Sequence, residues 1–207
     1  MRMLTFAKRN AKELLRDPLN ILFGLGFPLV LLLLFSVLQS NIPVAVFEID
    51  TLTPGMSVFG LSFMSLFSAT LLSKDRESAF LQRLYTTPLT GIDFIFGYMM
   101  PLMPMALMQT VICYLFAIPL GLTLSVNIIY AVIGIIPMAV FNISLGLLCG
   151  SIFGVKQVGG ICGAFLTNLS AWLSGVWFDL RLAGGIFEKI ASFLPFFHAA
   201  QAEKALF

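Results

Sequence analysis

Long apolar runs separated by short polar stretches make up most of this chain. A membrane-spanning helix needs about 20 consecutive apolar residues, and several of the runs reach that length. They predict five spans, at residues 19–38, 56–72, 92–120, 126–153 and 158–178. The expected fold is therefore an all-α integral membrane protein.

Three short motifs predict where spans begin. Asp17-Pro18 and Thr53-Pro54 each place a capping residue before a proline at the first helical position. Thr90 and Asp93 have the spacing of a capping box before a long apolar run. We therefore expect spans to start just after Asp17, Thr53 and Thr90.

Residues 1–17 have the pattern of a basic amphipathic helix. Apolar residues recur on one helical face, and basic residues occupy the other. The apolar face contains Met3, Leu4, Ala7, Ala11, Leu14 and Leu15. We predict a helix that lies in the membrane interface; the alternative is a solvated basic tail.

The charged stretch at residues 73–90 predicts a short helix between two spans. Lys74, Asp75, Arg76, Glu77 and Arg83 are concentrated here, in a chain with only 11% charged residues. Its apolar face consists of Phe80, Leu81, Leu84 and Tyr85, and Pro88 should end the helix near Thr87. Two surfaces can cover that face, namely the lipid interface or a groove on a soluble partner.

Composition supports a membrane protein without reference to any motif. The 207 residues are 59% hydrophobic, with a mean hydropathy of +0.99, whereas soluble domains carry about 25% charged residues. The net charge of +2 does not indicate nucleic-acid binding. The chain has no phosphate-binding loop and only one histidine, so we expect no catalytic residue, no metal site and no ATPase activity of its own.

Basic residues predict the orientation, because cytoplasmic loops are enriched in them. Most lie in the N-terminal segment and in alternate loops, and few follow the last predicted span. The first group is Arg2, Lys8, Arg9, Lys12, Arg16, Lys74, Arg76, Arg83 and Lys156, and the second is Arg181, Lys189 and Lys204. The N-terminus and residues 73–90 are thus expected to be cytoplasmic. Residues 179–207 are expected to be extracytoplasmic, with a short re-entrant or interfacial helix over 182–194.

The charged and aromatic stretch also resembles a known family. Asp75-Arg76-Glu77, then the run FLQRLYTTPL from Phe80, then a new span are similar to the coupling segment of ABC-2 type permeases. Thr53-Pro54-Gly55 and Ser174-Gly175 fit the same family pattern. The resemblance implies a sixth span, which we expect to be missing from this chain.

The resemblance also implies a function and partners. It implies the membrane subunit of an ABC exporter in the cytoplasmic (plasma) membrane, paired with a second permease chain as a homo- or heterodimer. ATP and Mg²⁺ would be bound by a separate ATP-binding ABC subunit, with no cofactor in this chain. The implied ATPase-docking residues are Arg76, Glu77, Phe80, Leu81, Arg83, Leu84 and Tyr85. The cargo could be a drug, a lipid or a peptide.

The alternative function is a stand-alone secondary carrier or channel. Ion-coupled carriers usually keep ionisable groups inside the membrane. Asp93 is the only acid expected near a span, where capping explains it, and this favours the ABC permease.

Two further sets of residues are candidates for transport or packing. Gln109, Asn142, Asn168 and Ser170 are polar residues inside predicted spans. They either line a translocation path or form hydrogen bonds between helices. Gly146, Gly150 and Gly154 have the spacing that allows close helix contact, either within this chain or with another.

Overall fold

The regular structure in the described part of the chain is entirely helical, as predicted. A computed structural model describes residues 2–42, 47–174, 189 and 191–207. Four of its helices are long and apolar enough to cross a membrane. These are α2 (Pro18–Ser40), α3 (Ile49–Glu77), α5 (Gly91–Leu120, ending in a 3₁₀ turn) and α6 with α7 (Asn127–Ile152).

The remaining helices are shorter or more polar. Helix α1 spans Arg2–Arg16, and α4 spans Ala79–Tyr85. Helix α6 (Asn127–Gly134) is separated from α7 (Ile136–Ile152) at Ile135, just before Pro137. Helix α8 begins with Val155–Val158, widens into π turns over Gly159–Leu166 and continues as Thr167–Leu173. It covers most of the predicted span 158–178, whose last four residues lie outside the described part.

Two of the three predicted helix starts are confirmed. The Asp17 carboxylate accepts the Leu19 N–H at 3.1 Å, with Pro18 at the first helical position. Thr90 Oγ1 accepts the Asp93 N–H, and Asp93 Oδ2 accepts the Thr90 N–H at 3.1 Å, which completes the capping box. Both motifs act through side chains within three residues, so sequence is sufficient to find them.

The predicted start at Thr53 is wrong. Helix α3 begins at Ile49, and the Thr53 hydroxyl donates back to the Ile49 carbonyl at 2.8 Å instead of capping. Pro54 lies inside the helix, where its missing N–H removes the single backbone bond to Asp50. Because this loss falls near the helix end, the helix extends past it.

The other end of α3 also differs from the prediction. Helix α3 continues to Glu77, so residues 74–77 form its last turn and do not belong to the short helix that follows. Ser78 separates the two helices and caps α4 by accepting the Phe80 N–H at 3.3 Å. The predicted coupling segment 73–90 is therefore the end of a span followed by a two-turn helix.

Helix α3 is the central helix of the bundle and is buried along most of its length. Ser57, Ser62, Ser65 and Ser68 are all buried, and each hydroxyl lies within hydrogen-bond distance of a backbone carbonyl three residues earlier. Ser62 and Ser65 are thus satisfied within α3, whereas the hydroxyls of Ser57 and Ser68 also reach acceptors outside it. The resulting narrow surface lets other helices approach closely, as is common for small residues in membranes.

Helix α7 packs against that narrow surface through the predicted glycines. Gly146 lies directly against Ser65 and Ser68, and Ser68 Oγ donates to the Ile143 carbonyl at 3.0 Å. A Cβ atom on Gly150 would lie 2.6 Å from the Ala69 carbonyl oxygen and 2.9 Å from its Cα. Gly154 follows α7 and lies beside Glu77. All three glycines therefore meet α3 of the same chain.

The C-terminal part contains a helix that the sequence analysis did not predict. Helix α9 spans Pro195–Lys204 and buries Phe196, Ala200 and Glu203. The signal was present, because proline is favoured at the first position of a helix. Most of the short helix expected at 182–194 lies outside the described residues.

Replacing Gly150 with alanine should destabilise the bundle. The added methyl group meets rigid backbone of α3, and overpacking of this kind costs about 1–3 kcal/mol. The Tm in detergent should fall for Gly150→Ala. It should not change for Gly134→Ala, because no atom lies within 4 Å of a Cβ at that position. Equal Tm values for the two variants would show that α7 does not press on α3 at Gly150.

Candidate coupling site

A buried ion pair joins α1 to the end of α3. The Arg9 guanidinium donates two hydrogen bonds to the Asp75 carboxylate, Nη1 to Oδ2 at 2.6 Å and Nη2 to Oδ1 at 2.7 Å. The Asp75 side chain is only 2% exposed and that of Arg9 36% exposed. Burial alone would lower the pKa of Arg9. The hydrogen bonds and the negative charge of Asp75 together have the larger effect, so the pKa of Arg9 is raised. Parallel bonds of this type are among the strongest between side chains.

The same pair contacts two further helices. Tyr98 of α5 is fully buried, and its hydroxyl donates to Asp75 Oδ2 at 2.7 Å. The Arg9 guanidinium also lies 4.2 Å above the centre of the Phe80 ring of α4, a cation–π contact. Glu13, one turn along α1, binds Arg9 at 2.7 Å. One arginine of α1 thus links α3 and α4 directly and reaches α5 through Asp75.

A proline in α5 provides a second anchor for α1. Pro101 has no N–H, so the Gly97 carbonyl lacks its usual helical partner four residues later. The buried Asn10 side chain of α1 donates to that carbonyl at 3.0 Å. A side chain at Gly97 would collide with the Phe6 ring, so glycine is required for this close approach. Together these contacts fix α1 along α5.

Phe6 is the centre of an aromatic cluster at this junction. Its ring packs edge-on against Tyr98 at 5.0 Å and stacks with Phe94 at 6.1 Å and Phe80 at 6.3 Å. Such pairs contribute about 0.5–1.5 kcal/mol each beyond the area they bury. The N-terminal helix is thus docked into the bundle through Phe6, while Leu4 and Leu15 remain exposed.

Arg76 and Glu77 hold the turn between α7 and α8. The Arg76 guanidinium donates to the carbonyls of Ser151 and Phe153, the latter at 3.0 Å. Glu77 Oε1 accepts the Val155 N–H at 2.8 Å. These side chains satisfy backbone groups that the ends of two helices leave unpaired. Both residues, named above as candidates for ATPase docking, are therefore engaged within the chain.

The other candidate docking residues divide between two faces of α4. Leu81 is buried, and Phe80 and Leu84 pack against the core of the bundle. Tyr85 is 76% exposed, and Gln82 and Arg83 are also exposed. The free surface of α4 is thus the one formed by Gln82, Arg83 and Tyr85.

The family model for the ABC-2 type transporter matches residues 1–205. The chain belongs to the ABC-2 type transporter family. This membership and the four apolar helices together indicate a multi-pass membrane protein of a transporter family.

A relative in Cyanophora paradoxa supports this assignment. It is named "Putative transport permease ycf38" and is 28% identical over 158 residues. The match covers 70% of this chain but spans only about half, 54%, of the relative. No solved structure gives a significant match.

The polar residues proposed for a translocation path have separate surroundings in this ABC-2 chain and do not form one network among the described residues. Gln109 is fully buried against Gly60, and its Nε2 contacts Cys113 Sγ at 3.4 Å. Asn142 and Ser170 are also buried, whereas Asn168 is exposed. No hydrogen bond joins any two of the four within the described residues. Their role in transport stays a prediction.

The permease also contains a buried acid that the sequence analysis missed. Glu203 of α9 is 3% exposed, and its Oε2 accepts hydrogen bonds from Ser57 Oγ at 2.5 Å and Tyr114 Oη at 2.6 Å. Oε1 has no partner among the described residues. Burial raises the pKa of Glu203 to about 7, although both hydrogen bonds act in the opposite direction.

The expectation that Asp93 is the only acid near a span was therefore wrong. Asp75 and Glu203 are both buried against spanning helices. A sequence signal existed for Glu203, because it follows Phe196 and Ala200 at helical spacing on the buried face of α9. For Asp75 the signal was weaker, since its partner Arg9 lies 66 residues away.

Truncating Asp75 should destabilise the permease more than substituting an exposed residue does. Asp75→Ala leaves Arg9 and Tyr98 without their acceptor. Breaking a fully buried pair costs about 3–5 kcal/mol, and partial exposure of Arg9 reduces that value here. We expect a lower Tm for Asp75→Ala and for Arg9→Ala. Lys156→Ala, at an exposed position of α8, is the control and should leave the Tm unchanged.

A double-mutant cycle separates the interaction energy between Arg9 and Asp75 from other effects of the two substitutions on the stability of the bundle. Because either single change already breaks the ion pair, Arg9→Ala with Asp75→Ala should lose much less stability than the sum of the two. Strictly additive losses would contradict direct coupling between these side chains.

The contact of α9 with the spans should weaken as pH rises. The raised pKa means that the folded protein binds the Glu203 proton more tightly than the unfolded chain does. Its contribution to stability is then complete below about pH 4.3, the ordinary value for glutamate, and is lost as pH rises through about 7. Glu203→Gln should remove this part of the pH dependence of Tm between pH 5 and 8, whereas exposed Glu48→Gln should not. If the Tm of wild type and of Glu203→Gln changed with pH in the same way, Glu203 would not be the group responsible.

Proposed function

We propose that this chain is the permease of an ATP-driven exporter that works as a pair of permease chains with separate ATPase subunits. ATP and Mg²⁺ would be bound by those partners. The observation that carries the proposal is the junction at Arg9, where an exposed two-turn helix is tied to α1, α3 and α5. Force applied to α4 from outside the membrane has a direct path into the spans.

The orientation follows from charge. Helix α1, the last turn of α3, α4 and the first turn of α8 carry most of the basic residues and lie at one end of the bundle. Basic residues favour the cytoplasmic side of a plasma membrane, where ATP is available. The N-terminus and α4 are thus assigned to the cytoplasm, with residues 158–178 as a fifth span.

The proposed cycle uses the two faces of α4 differently. Gln82, Arg83 and Tyr85 face outwards and meet the ATPase. Phe80 passes movement to Phe6 and Arg9 of α1. Closure of the ATPases on ATP then moves the junction, and the pair of permeases changes the side on which its path is open. The cargo would be a drug, a lipid or a peptide-like molecule, and exposed Asn168 is the residue of the four best placed to meet it.

A secondary carrier is the second candidate, and Glu203 is the observation that favours it. Carriers driven by protons use ionisable groups buried against spans, and this group has a pKa of about 7. Transport by the purified permease alone, driven by an imposed pH gradient and abolished in Glu203→Gln, would favour the carrier. Transport that needs both ATP and the ATPase favours the exporter.

Truncating the exposed aromatic residue of α4 should weaken ATPase binding without unfolding the permease. Tyr85 is 76% exposed in this chain, so its loss should leave the Tm unchanged. Interface aromatics of this kind contribute about 2 kcal/mol or more, which is roughly a thirtyfold change in Kd. The measurement is binding of the partner ATPase to Tyr85→Ala permease, together with ATP-driven transport in vesicles.

Two other aromatic positions serve as comparisons for Tyr85. Tyr130→Ala removes an exposed tyrosine at the opposite end of the bundle and should bind the ATPase normally. Phe80→Ala should lower the Tm, because that ring packs on Phe6 and Arg9. Normal ATPase binding and transport by Tyr85→Ala would remove the main support for coupling through α4.

A further inference from the structure

Helix α1 forms one wall of an apolar groove that the proposed coupling does not use. The groove lies between α1, α2 and α5 and encloses about 610 Å³. This volume is within the range of about 300–1,000 Å³ that is typical of small-molecule sites. Its lining includes Leu4, Ala11 and Leu15 of α1, Ile21 of α2, and Pro104 and Met108 of α5. An occupant must therefore be apolar over most of its length.

The edge of the groove formed by α1 is positively charged. Lys8 is the charged residue in its lining, and the same lysine belongs to a basic surface with Lys12 and Arg16. All three are exposed, and none of their side chains forms a hydrogen bond or an ion pair with another described residue. Arg9 of the same helix differs, because Asp75 and Glu13 neutralise it. The groove is thus bordered along α1 by a row of positive charges that the protein leaves uncompensated.

We propose that this groove holds an acyl chain of an anionic phospholipid whose headgroup binds Lys8 and Lys12. A ligand that is apolar along its length and negative at one end matches both observations. Basic residues on amphipathic helices attract anionic lipids. The leaflet that supplies the lipid rests on the orientation proposed above, whereas binding itself does not. A lipid here would hold α1 against α2 and α5, next to the Arg9 junction.

A second copy of the chain fits the groove less well. A two-fold contact buries the same patch of both subunits. It would bring two uncompensated rows of Lys8, Lys12 and Arg16 together, and like charges repel. An anionic lipid instead supplies the missing opposite charge.

The test is lipid retention by the purified permease, measured by native mass spectrometry without any ATPase. The permease is incubated with equal amounts of phosphatidylglycerol and phosphatidylcholine in a neutral detergent. We expect phosphatidylglycerol to be retained preferentially. Lys8→Ala with Lys12→Ala should weaken its binding roughly thirtyfold, since each basic residue near a membrane contributes roughly fivefold. Lys156→Ala, which removes an exposed lysine outside the groove, should have no effect.

A second variant tests the apolar part of the site. Ala11→Phe fills the groove and should reduce retention of phosphatidylglycerol while Lys8 and Lys12 remain. Should this variant fail to fold, the double lysine variant still decides, because both side chains are exposed. Equal retention of the two lipids, or unchanged retention in the double lysine variant, would overturn the proposal. So would a photo-crosslinker at Leu4 that joins two permease chains instead of labelling lipid.

The outcome is independent of the exporter assignment. Lipid retention needs neither ATP nor a partner, so loss of ATPase binding in Tyr85→Ala leaves this test unaffected. Conversely, a permease that couples to an ATPase but retains no anionic lipid would refute the groove alone.

Discussion

The carboxylate of Asp75 is the constraint on which the end of the bundle around α1 depends. It is 2% exposed on the last turn of α3, and a charge in that position needs a partner. Arg9 supplies the opposite charge, and Tyr98 supplies a further hydrogen bond. If helix α1 separated from the bundle, the Asp75 carboxylate would therefore lose the positive charge that pairs with it. This requirement, more than its amphipathic pattern, fixes where α1 lies.

The same helix carries the buried polar contact at its other end. Ser57 and Asp75 are both on α3, and the intervening residues place them about 27 Å apart along the axis. Ser57 binds Glu203 of α9, while Asp75 binds Arg9 of α1. Between them, small side chains let α7 press closely against α3. A central helix packed so tightly can move only with its neighbours, so the two polar clusters are joined by one stiff element.

Sequence was sufficient where the determining interaction is local or compositional. Apolar length identifies the spans, and side chains within three residues cap the helices at Asp17 and Thr90. It failed at Thr53, where the hydroxyl binds an upstream carbonyl and the proline is tolerated inside α3. It also gave no sign that Arg76 and Glu77, which stay predicted docking residues, bind the turn after α7 more than 70 residues away. Such contacts depend on how the helices pack, which no local pattern contains.

The free-energy costs of breaking the individual contacts decide which helices of the junction separate most easily. Separating α1 from α3 breaks a buried ion pair, which costs on the order of 3 kcal/mol even after allowance for the exposure of Arg9. Separating α4 from α1 loses the Phe6–Phe80 stack and the Arg9–Phe80 contact, each about 0.5–1.5 kcal/mol. The contact between α4 and α1 is thus weaker than the contact between α1 and α3. Because Ser78 joins α4 directly to α3, α4 stays attached to the spans through the chain even where its contact with α1 is lost.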